Sequence, residues 1–590
     1  MAKKAKAAEA APEVVLGPRP RLTKLVVKNF RCIGATPVTI DLDDIVVLVG
    51  PNNVGKSCVL KAYEVIMSEG SGAGHLTIDD FPSGKVDPTA LPEIELHTVV
   101  YDNSPGPEWI EKTDNGEMLV KERWRWPAPG APVRHGYIAQ EKRWATDEDN
   151  EKVPWGAAAV ANSRRPQPHR VDAFASPDKQ ATEIVELLKA AIMDRVKCHQ
   201  SDSKVDKESD FAKLLAGIAS LQKKIVAESQ YQITAVQTDL SGYIGRVFPG
   251  HHVVFDAKPE DDLDKALNLF KSNPQLLMGP ENGYMSTIDR QGSGARRTLL
   301  WTAIRLLAET KKKDSSQRPH ILLLDEPEIC LHPNAVREAC DLLYDVPANT
   351  GNWQVMVTTH SPCFVDFARD HTSIVRVERR NDGNVMGTTI FRPSKAGFDG
   401  SDRERLKLLN MCDPYVAEFF FGGKSIIVEG DTEYTAFKYV MGLFPEKHQG
   451  IHVVRARGKA TIVSLCKILN QFGAPYSVLH DSDHPTYQKN GKDCANPAWA
   501  HNESIRVEMA KASAATRLLA SLPDFEAAYL GEEVKTDKPY TVLCSLKADS
   551  TAVSRIAQLL HALIDFTEPV PAGAVQWTSL DQLRQEVEKQ

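Results

Sequence analysis

Ile45-Val46-Val47-Leu48-Val49-Gly50-Pro51-Asn52-Asn53-Val54-Gly55-Lys56-Ser57 is the stretch on which the reading of the whole chain turns. An apolar, β-branched run stops at a glycine, and after four further residues come Gly55, Lys56 and Ser57. This is the phosphate-loop spacing G-x-x-x-x-G-K-[ST]. The run Ile45–Val49 reads as a buried strand, and the residues from Cys58 onward read as a helix with few breakers. A loop between strand and helix turns its backbone N–H groups toward phosphates, and the helix N-terminus adds positive potential. In this pattern Lys56 reaches the β- and γ-phosphates and Ser57 ligates Mg²⁺.

Composition bounds the rest. A chain of 590 residues suggests roughly two to four domains. Hydrophobic content of 42% and charged content of 25% are those of an ordinary globular protein. Because the net charge is −7, any contact with nucleic acid must come from local basic patches. The 10 cysteines include no C-x-x-C, which argues against structural zinc and for reduced thiols in a cytoplasmic protein. No apolar run approaches the ~18 residues of a membrane span. The start, Met1-Ala2-Lys3-Lys4-Ala5-Lys6, lacks the apolar core of a secretory signal, and residues 1–20 read as a disordered tail.

Leu22–Phe30 alternates as an amphipathic strand that Asn29-Phe30-Arg31 closes, and Val38–Leu42 is a second strand. Glu69–Gly74 reads as a turn and Ile94–Tyr101 as a strand. From Asp102 to about Arg170 the sequence is irregular and rich in Pro, Gly and Trp, and reads as a β-rich lobe with long loops. Between Pro177 and about Gln237 the period becomes helical. Ile184, Leu187, Leu188 and Ile192 form one stripe; Phe211, Leu214, Leu215, Ile218 and Leu221 form another. These read as a helical hairpin joined through Lys197–Asp210, which either packs on its own domain or mediates dimerisation.

Strands and helices resume from about Val253. Asp289-Arg290-Gln291-Gly292-Ser293-Gly294 precedes a helical run, Thr298–Leu307. Ile321–Leu324 is an apolar strand ending in Asp325 and Glu326, and Val355–Thr358 is another that leads to His360. Asp325 can hold Mg²⁺ through water, Glu326 can polarise an attacking water, and His360 can hydrogen-bond a γ-phosphate. Taken over about residues 20–395, this order resembles the ABC-type ATPase head of SMC-like proteins. The resemblance implies ATP held by Arg31, Gly50, Asn52, Asn53, Gly55, Lys56, Ser57, Gly292, Ser293, Gly294 and Asp325, with one Mg²⁺ on Ser57 and Asp325. It also implies a dimer, since in that family the signature element of one head closes on the nucleotide of the other. The chain departs from the family in its signature, where Gly292-Ser293-Gly294-Ala295-Arg296 replaces Leu-Ser-Gly-Gly-Gln. It has no identifiable Gln loop and no long coiled coil.

Asp382-Gly383 and Pro393–Gly400 mark a linker, taken as 396–420 between a head at 21–395 and a second domain at 421–590. In the second domain Ile426–Val428 is a strand ending in Glu429, and Asp431-Thr432-Glu433 opens a helix. His452–Val454 is the next strand, with Gly458-Lys459 beyond it. Pro475–Leu479 is a strand that leads to Asp481 and Asp483, two aspartates spaced as hard-cation ligands. These groups supply four oxygen donors, expected at an exposed sheet edge.

Strand, Glu-Gly, helix, then strand and Asp-x-Asp resembles a Toprim domain. An ABC-type head followed by a Toprim domain resembles the OLD (overcoming lysogenisation defect) nuclease family, of which the Gabija nuclease subunit is a relative. The resemblance implies α/β folds in both halves, with a helical tail such as Ser554–Phe566. It implies DNA cleavage dependent on Mg²⁺, Mn²⁺ or Ca²⁺, with two ions on Glu429, Glu433, Asp481, Asp483 and a later acid. Glu526 is the choice for that acid over Asp524. A catalytic lysine is also implied, with Lys538 the first choice and Lys547 the second. The catalytic set is then Glu326 and His360 in the head and Glu429, Asp481 and Lys538 in the Toprim half. The implied partners are DNA and a second copy of the chain, with a neighbouring-gene partner open, and the implied target is phage DNA. The alternatives are a DNA-bound regulatory or repair ATPase that does not cleave, and a Toprim topoisomerase or primase. The chain leaves little room for the tyrosine domain that a topoisomerase needs.

Overall fold

The computed structural model describes residues 20–171, isolated positions between 176 and 188, 233–256, 275–310, 319–350, 353–379, 383, 385–413, 415–489, 492–531 and 537–589. The expected tail at 1–20 therefore lies outside the described residues except for Pro20.

Ile45–Val49 is central in a six-stranded sheet and every one of its residues is buried. The order is Val385–Phe391, Thr372–Arg379, Ile45–Val49, Trp353–Thr358, His320–Asp325 and Gln167–Val171. All neighbours are parallel except the first pair. Strands covered on both faces can be continuously apolar, which is why Ile-Val-Val-Leu-Val and Ile-Leu-Leu-Leu occur where they do. On one face Val46, Leu48, Leu323 and Met356 pack on helix Lys56–Met67. A mainly antiparallel sheet built on Arg21–Lys28 and Glu93–Val100 covers that helix through Leu25, Val27 and Leu96. On the other face Val47, Leu322 and Val355 meet Leu299 and Ile304 of helix Ser293–Thr310.

Several expectations change. Gln167–Val171, read as part of an irregular lobe, is the edge strand of the main sheet, pairing with His320–Asp325. The helix expected at Thr298 begins at Ser293, so Ser293 and Gly294 are helical. Asp382-Gly383, read as a linker mark, falls in sequence between Thr372–Arg379 and Val385–Phe391, which pair antiparallel within the main sheet, and Asp382 itself lies outside the described residues. The segment 396–420 carries helix Gly400–Cys412, whose Leu406 and Leu409 are buried in the core. In the expected helical hairpin, Ile184, Leu188, Ile233 and Val236 join that same core, followed by Leu240 and Ile244. Leu187, Ile192 and the stripe from Phe211 to Leu221 lie outside the described residues.

The second half is a five-stranded sheet in the order Ile451–Arg455, Lys424–Val428, Tyr476–Asp481, Thr516–Ser521 and Ala574–Gln576. All but the last strand run parallel. Helices Asp431–Leu443 and Ser550–Ile564 cover one face; Lys459–Leu469 and Pro497–Met509 cover the other. The two halves share one core through a phenylalanine cluster. Phe419 and Phe420 stack with centroids 4.5 Å apart, and Phe420 meets Phe472 of the second half at 5.2 Å. Arg376, in the head sheet, donates to the carbonyls of Phe420 at 3.1 Å and Phe419 at 3.2 Å.

Phe420→Ala deletes a fully buried ring at this junction and should cost about 3–5 kcal/mol. Differential scanning calorimetry should show a lower first transition and separate unfolding of the two halves. An unchanged thermogram would refute the structural weight given to this cluster.

Candidate nucleotide and carboxylate sites

The phosphate loop is shaped by two glycines. Gly50 has φ 140°, and a Cβ there would stand 2.0 Å from the Val377 carbonyl oxygen; Gly55 has φ 103°. Helix Lys56–Met67 starts directly after them. The buried Lys56 ammonium donates to the carbonyls of Gly50 at 3.1 Å and Pro51 at 2.8 Å. It also lies 2.8 Å from His360 Nε2, which is 3.3 Å from Glu326 Oε1. Ser57 Oγ donates to Asp325 Oδ1 at 2.8 Å, and Thr358 Oγ1 donates to the same oxygen at 2.6 Å. Burial pushes the Lys56 pKa down, while Glu326, Asp325 and Glu328 pull it back up.

Strand register makes these meetings possible. Asp325 pairs across from Thr358, and Thr358 from Leu48, so three parallel strands end at one level. Glu326 then turns out of line with φ 46°. Glu328, which the sequence reading left without a role, accepts from the backbone N–H of His360 at 2.6 Å and of Ser361 at 3.2 Å. Its side chain therefore fixes the main chain that carries His360.

The remaining expected nucleotide residues stand elsewhere. Arg31 Nε is ion-paired to Asp80 at 2.7 Å. Asn52 and Asn53 are exposed. Gly292 lies just before helix Ser293–Thr310, and a Cβ on Gly294 would come within 2.8 Å of the Cys330 carbonyl. Arg297 of that helix donates to the Glu326 carbonyl at 3.0 Å. Among the described residues, Gly292, Ser293 and Gly294 make no hydrogen bond to the phosphate loop.

The second constellation gathers at the C-terminal ends of central strands, not at the exposed edge expected. Glu429 follows Lys424–Val428 directly, and its Oε2 accepts from Asp481 N at 3.1 Å. Asp481 ends its strand, and its Oδ1 accepts from Phe525 N at 2.9 Å. Glu433, in the first turn of helix Asp431–Leu443, is buried, as is Glu526. Burial raises the pKa of Glu429. It raises that of Asp481 well above the carboxylate range, with repulsion from Glu433, Glu429 and Glu526 adding to it. Glu433 is pushed up to about 8 by burial, then by Glu429 and Glu526. These four acids thus form one mutually repelling group.

The late residues have different local duties. Asp524 is the N-cap of helix Phe525–Leu530, its side chain accepting from Ala527 N at 2.8 Å. Glu526 instead faces the cluster and pairs with Lys538 Nζ at 3.1 Å. Lys547 is nine residues along the helix that Lys538 begins, about 13 Å away by helical rise.

Asp483, with φ 56°, is ion-paired to Lys459. Lys459 is buried, and its charge lowers the pKa values of Glu429 and Asp481. The sequence reading passed over it as a site residue. The available signal was its position, a lysine directly after a glycine where a strand gives way to helix Lys459–Leu469. His480 beside Asp481 is fully buried and pushed down to about 3, so it adds no second cation at neutral pH.

An all-oxygen set of buried acids, two of them with pKa raised by burial and then by mutual repulsion, suits a hard divalent cation. Among the described residues only Asp43, Asp44 and His371 bring three ligand atoms within 4.8 Å of one another. That trio is the poorer donor set, because the His371 side chain is 75% exposed and stands 3.9 Å from both acids.

Residues 21–114 and 133–365 match the family model described as an AAA ATPase domain. Residues 420–483 match the model described as an overcoming lysogenization defect protein-like TOPRIM domain. The Old nuclease of Escherichia phage P2 is 23% identical over 496 residues, covering 78% of this chain and 77% of that protein. The OLD nuclease of Thermus scotoductus is 24% identical over 565 residues, covering 89% of this chain and 95% of its own. A solved SmcHead bound to the C-winged helix domain of ScpA aligns with TM-score 0.39 and 17% identity, over 63% of this chain and 98% of that one.

Glu433 gives a pH test. Its folded pKa, about 8, exceeds the ordinary glutamate value of about 4.3. The native state therefore holds a proton that the unfolded chain has released, and stability must fall as pH rises through that window. In chelator, the melting temperature should decline between about pH 4.3 and pH 8, and Glu433→Gln should flatten this part of the decline. Identical pH slopes for the two proteins would show that Glu433 ionises normally.

Proposed function

Because the chain belongs to the OLD nuclease family, with an AAA ATPase domain followed by an OLD-like Toprim domain, we propose that it is an ATP-hydrolysing, divalent-metal-dependent DNA endonuclease. The observation that carries this reading is the meeting of Glu429, Glu433, Asp481 and Glu526 at the ends of neighbouring strands, with Lys459 and Lys538 paired to acids there. On this reading residues 21–395 are the ATPase head, 396–420 the connection and 421–590 the Toprim domain. The target class is foreign DNA, as in phage defence. Among the described residues no helix is long and apolar enough to cross a membrane, and we assign the protein to the cytoplasm.

In the head, Lys56 exchanges the Gly50 and Pro51 carbonyls for the β- and γ-phosphates of ATP, a stronger, charge-assisted set of partners. Ser57 and Asp325, already hydrogen-bonded to each other, are the pair that would hold one Mg²⁺. Glu326 is the general base, and His360, held by Glu328, senses the γ-phosphate. Gly292, Ser293 and Gly294 would serve the site of a second copy; among the described residues they make no hydrogen bond to the loop of their own chain.

In the Toprim half, divalent cations held by Glu429, Glu433, Asp481, Asp483 and Glu526 would lower the pKa of a bound water and offset charge on the scissile phosphate. Lys459 orients Asp483 and balances the acids until they are neutralised. Lys538, 45% exposed at its side chain, is placed to leave Glu526 for the phosphodiester. Water attacks phosphorus directly, so no covalent enzyme intermediate is required. Phosphodiester hydrolysis is downhill, so ATP serves as a gate and not as an energy source.

Three measurements test this. Asp481→Ala should nick supercoiled plasmid at least about 100-fold more slowly, because loss of outer-shell partners alone costs 10–100-fold. Its phosphate release from ATP should stay near wild type. Lys56→Ala should lose ATP hydrolysis while retaining basal nicking that nucleotide no longer modulates. If Asp481→Ala nicks at the wild-type rate in Mg²⁺, the site is not a nuclease and the DNA-binding ATPase becomes the better reading. Light scattering at micromolar concentration should give a dimer or larger. A strict monomer with concentration-independent ATPase activity would contradict the two-copy nucleotide site.

A further inference from the structure

Two thiols meet at the base of the phosphate loop and take no part in the chemistry above. Cys32 Sγ and Cys58 Sγ lie 3.2 Å apart. Cys32 sits in the turn that leaves strand Arg21–Lys28, where Phe30 and Ile33 exchange backbone hydrogen bonds of 2.9 Å. Cys58 is in the first turn of helix Lys56–Met67, directly after Ser57. Both are half-buried against the same apolar cluster, so a small oxidant can reach them while their backbones stay held. The loop passes directly beside them, since a Cβ on Gly55 would stand 2.9 Å from Cys32 Sγ. Among the described residues no other two cysteine sulfurs are in contact.

We propose that Cys32 and Cys58 are a reversible oxidation site, which a hydroperoxide closes to a disulfide, and that closure weakens nucleotide binding at the adjoining loop. One sulfur attacks an oxygen of the hydroperoxide ROOH. The O–O bond breaks, ROH leaves, and a sulfenic acid remains. The second thiol attacks that sulfur, the S–S bond forms, and the S–OH oxygen leaves as water. In sum, two thiols and ROOH give a disulfide, ROH and water. The sulfurs lose two electrons and the peroxide gains them.

The effect on the loop follows from distance. A disulfide is about 2.05 Å long, so the sulfurs must close by roughly 1.2 Å. The movement falls on the first turn of the helix and on a loop already tight at Gly55. Backbone N–H groups that grip phosphates tolerate errors of only tenths of an ångström, and a misplacement of about 1 Å can cost on the order of 100-fold. The nucleotide half of the proposal rests on the ATP site assigned above; the disulfide half does not.

Full-length protein is reduced, desalted, exposed to hydrogen peroxide, alkylated and digested with trypsin. Cleavage after Arg31 and Lys56 separates Cys32 from Cys58 onto peptides 32–56 and 57–61. These peptides should be recovered joined, two hydrogens lighter than their sum. Titration with a fluorescent ATP analogue should show affinity falling on the order of tenfold or more, restored by dithiothreitol. Cys32→Ser should bind the analogue like the reduced wild type and ignore peroxide. Absence of the joined peptides overturns the site, and joined peptides with unchanged affinity overturn the regulatory effect. Failure of the reduced protein to bind the analogue overturns the ATP site and the regulation together, leaving the disulfide decided by the peptide map alone.

Discussion

Parallel register of Ile45–Val49, Trp353–Thr358 and His320–Asp325 is the constraint on which the head depends. Their ends reach one level, and only therefore can Ser57 touch Asp325 and Lys56 approach His360 across 304 residues of chain. The contacts carry a charge logic of their own. A buried ammonium is costly alone, and here Glu326, Asp325 and Glu328 surround it. That arrangement is tolerable at rest and leaves Lys56 ready to trade backbone carbonyls for a more highly charged partner. The glycines serve the same end, since any side chain at Gly50 would collide with the neighbouring strand at Val377.

The second half repeats the geometry with the opposite sign. Glu429 and Asp481 also stand at the C-terminal ends of adjacent parallel strands, where ligands gather in open α/β sheets. The head sets a cation among acids; this sheet sets acids against each other. Glu433 and Glu526 are buried with them, and burial with added repulsion raises the protonated fraction of Glu433 and Asp481. Lys538 pairs with Glu526, and the charge of Lys459, itself paired to Asp483, lowers the pKa of Glu429 and Asp481. Such a cluster holds free energy that any bound cation of sufficient charge recovers, which is why its stability responds to pH.

The elements that could be read from the sequence were those whose signal is local. The phosphate loop, the Asp325-Glu326 and Asp481 strand ends, and the helix opening at Asp431 lie where apolar runs stop. What escaped depends on partners far away in the chain. Lys459 finds Asp483 at a separation of 24 residues, and its one local mark is the glycine directly before it at a helix start. Glu328 finds His360 only through strand register. Gln167–Val171 looks irregular because Pro168 and two basic residues interrupt an edge strand that tolerates them. Glu526 and Asp524 carry the same pattern in sequence; in the structure they differ, since Asp524 caps a helix and Glu526 pairs with Lys538.

The same physics bears on how the halves communicate. Arg376 stands opposite Val49, the residue before Gly50, in the strand that hems in the phosphate loop. Its guanidinium reaches the Phe419 and Phe420 carbonyls and lies 5.4 Å from the centre of the Phe472 ring in the second half. Helix Gly400–Cys412 adds a tie, with buried Asp402 accepting from Ser464 at 2.6 Å and paired to Lys467. Packing of this density transmits small shifts because it cannot absorb them. Contiguity alone supplies no direction, however. ATP can bias the second site only by binding one arrangement of this junction more tightly than another, and the size of any gating effect is bounded by that difference. Any influence of one site on the other would therefore run through the packing around Phe420 and Arg376, where the two halves touch.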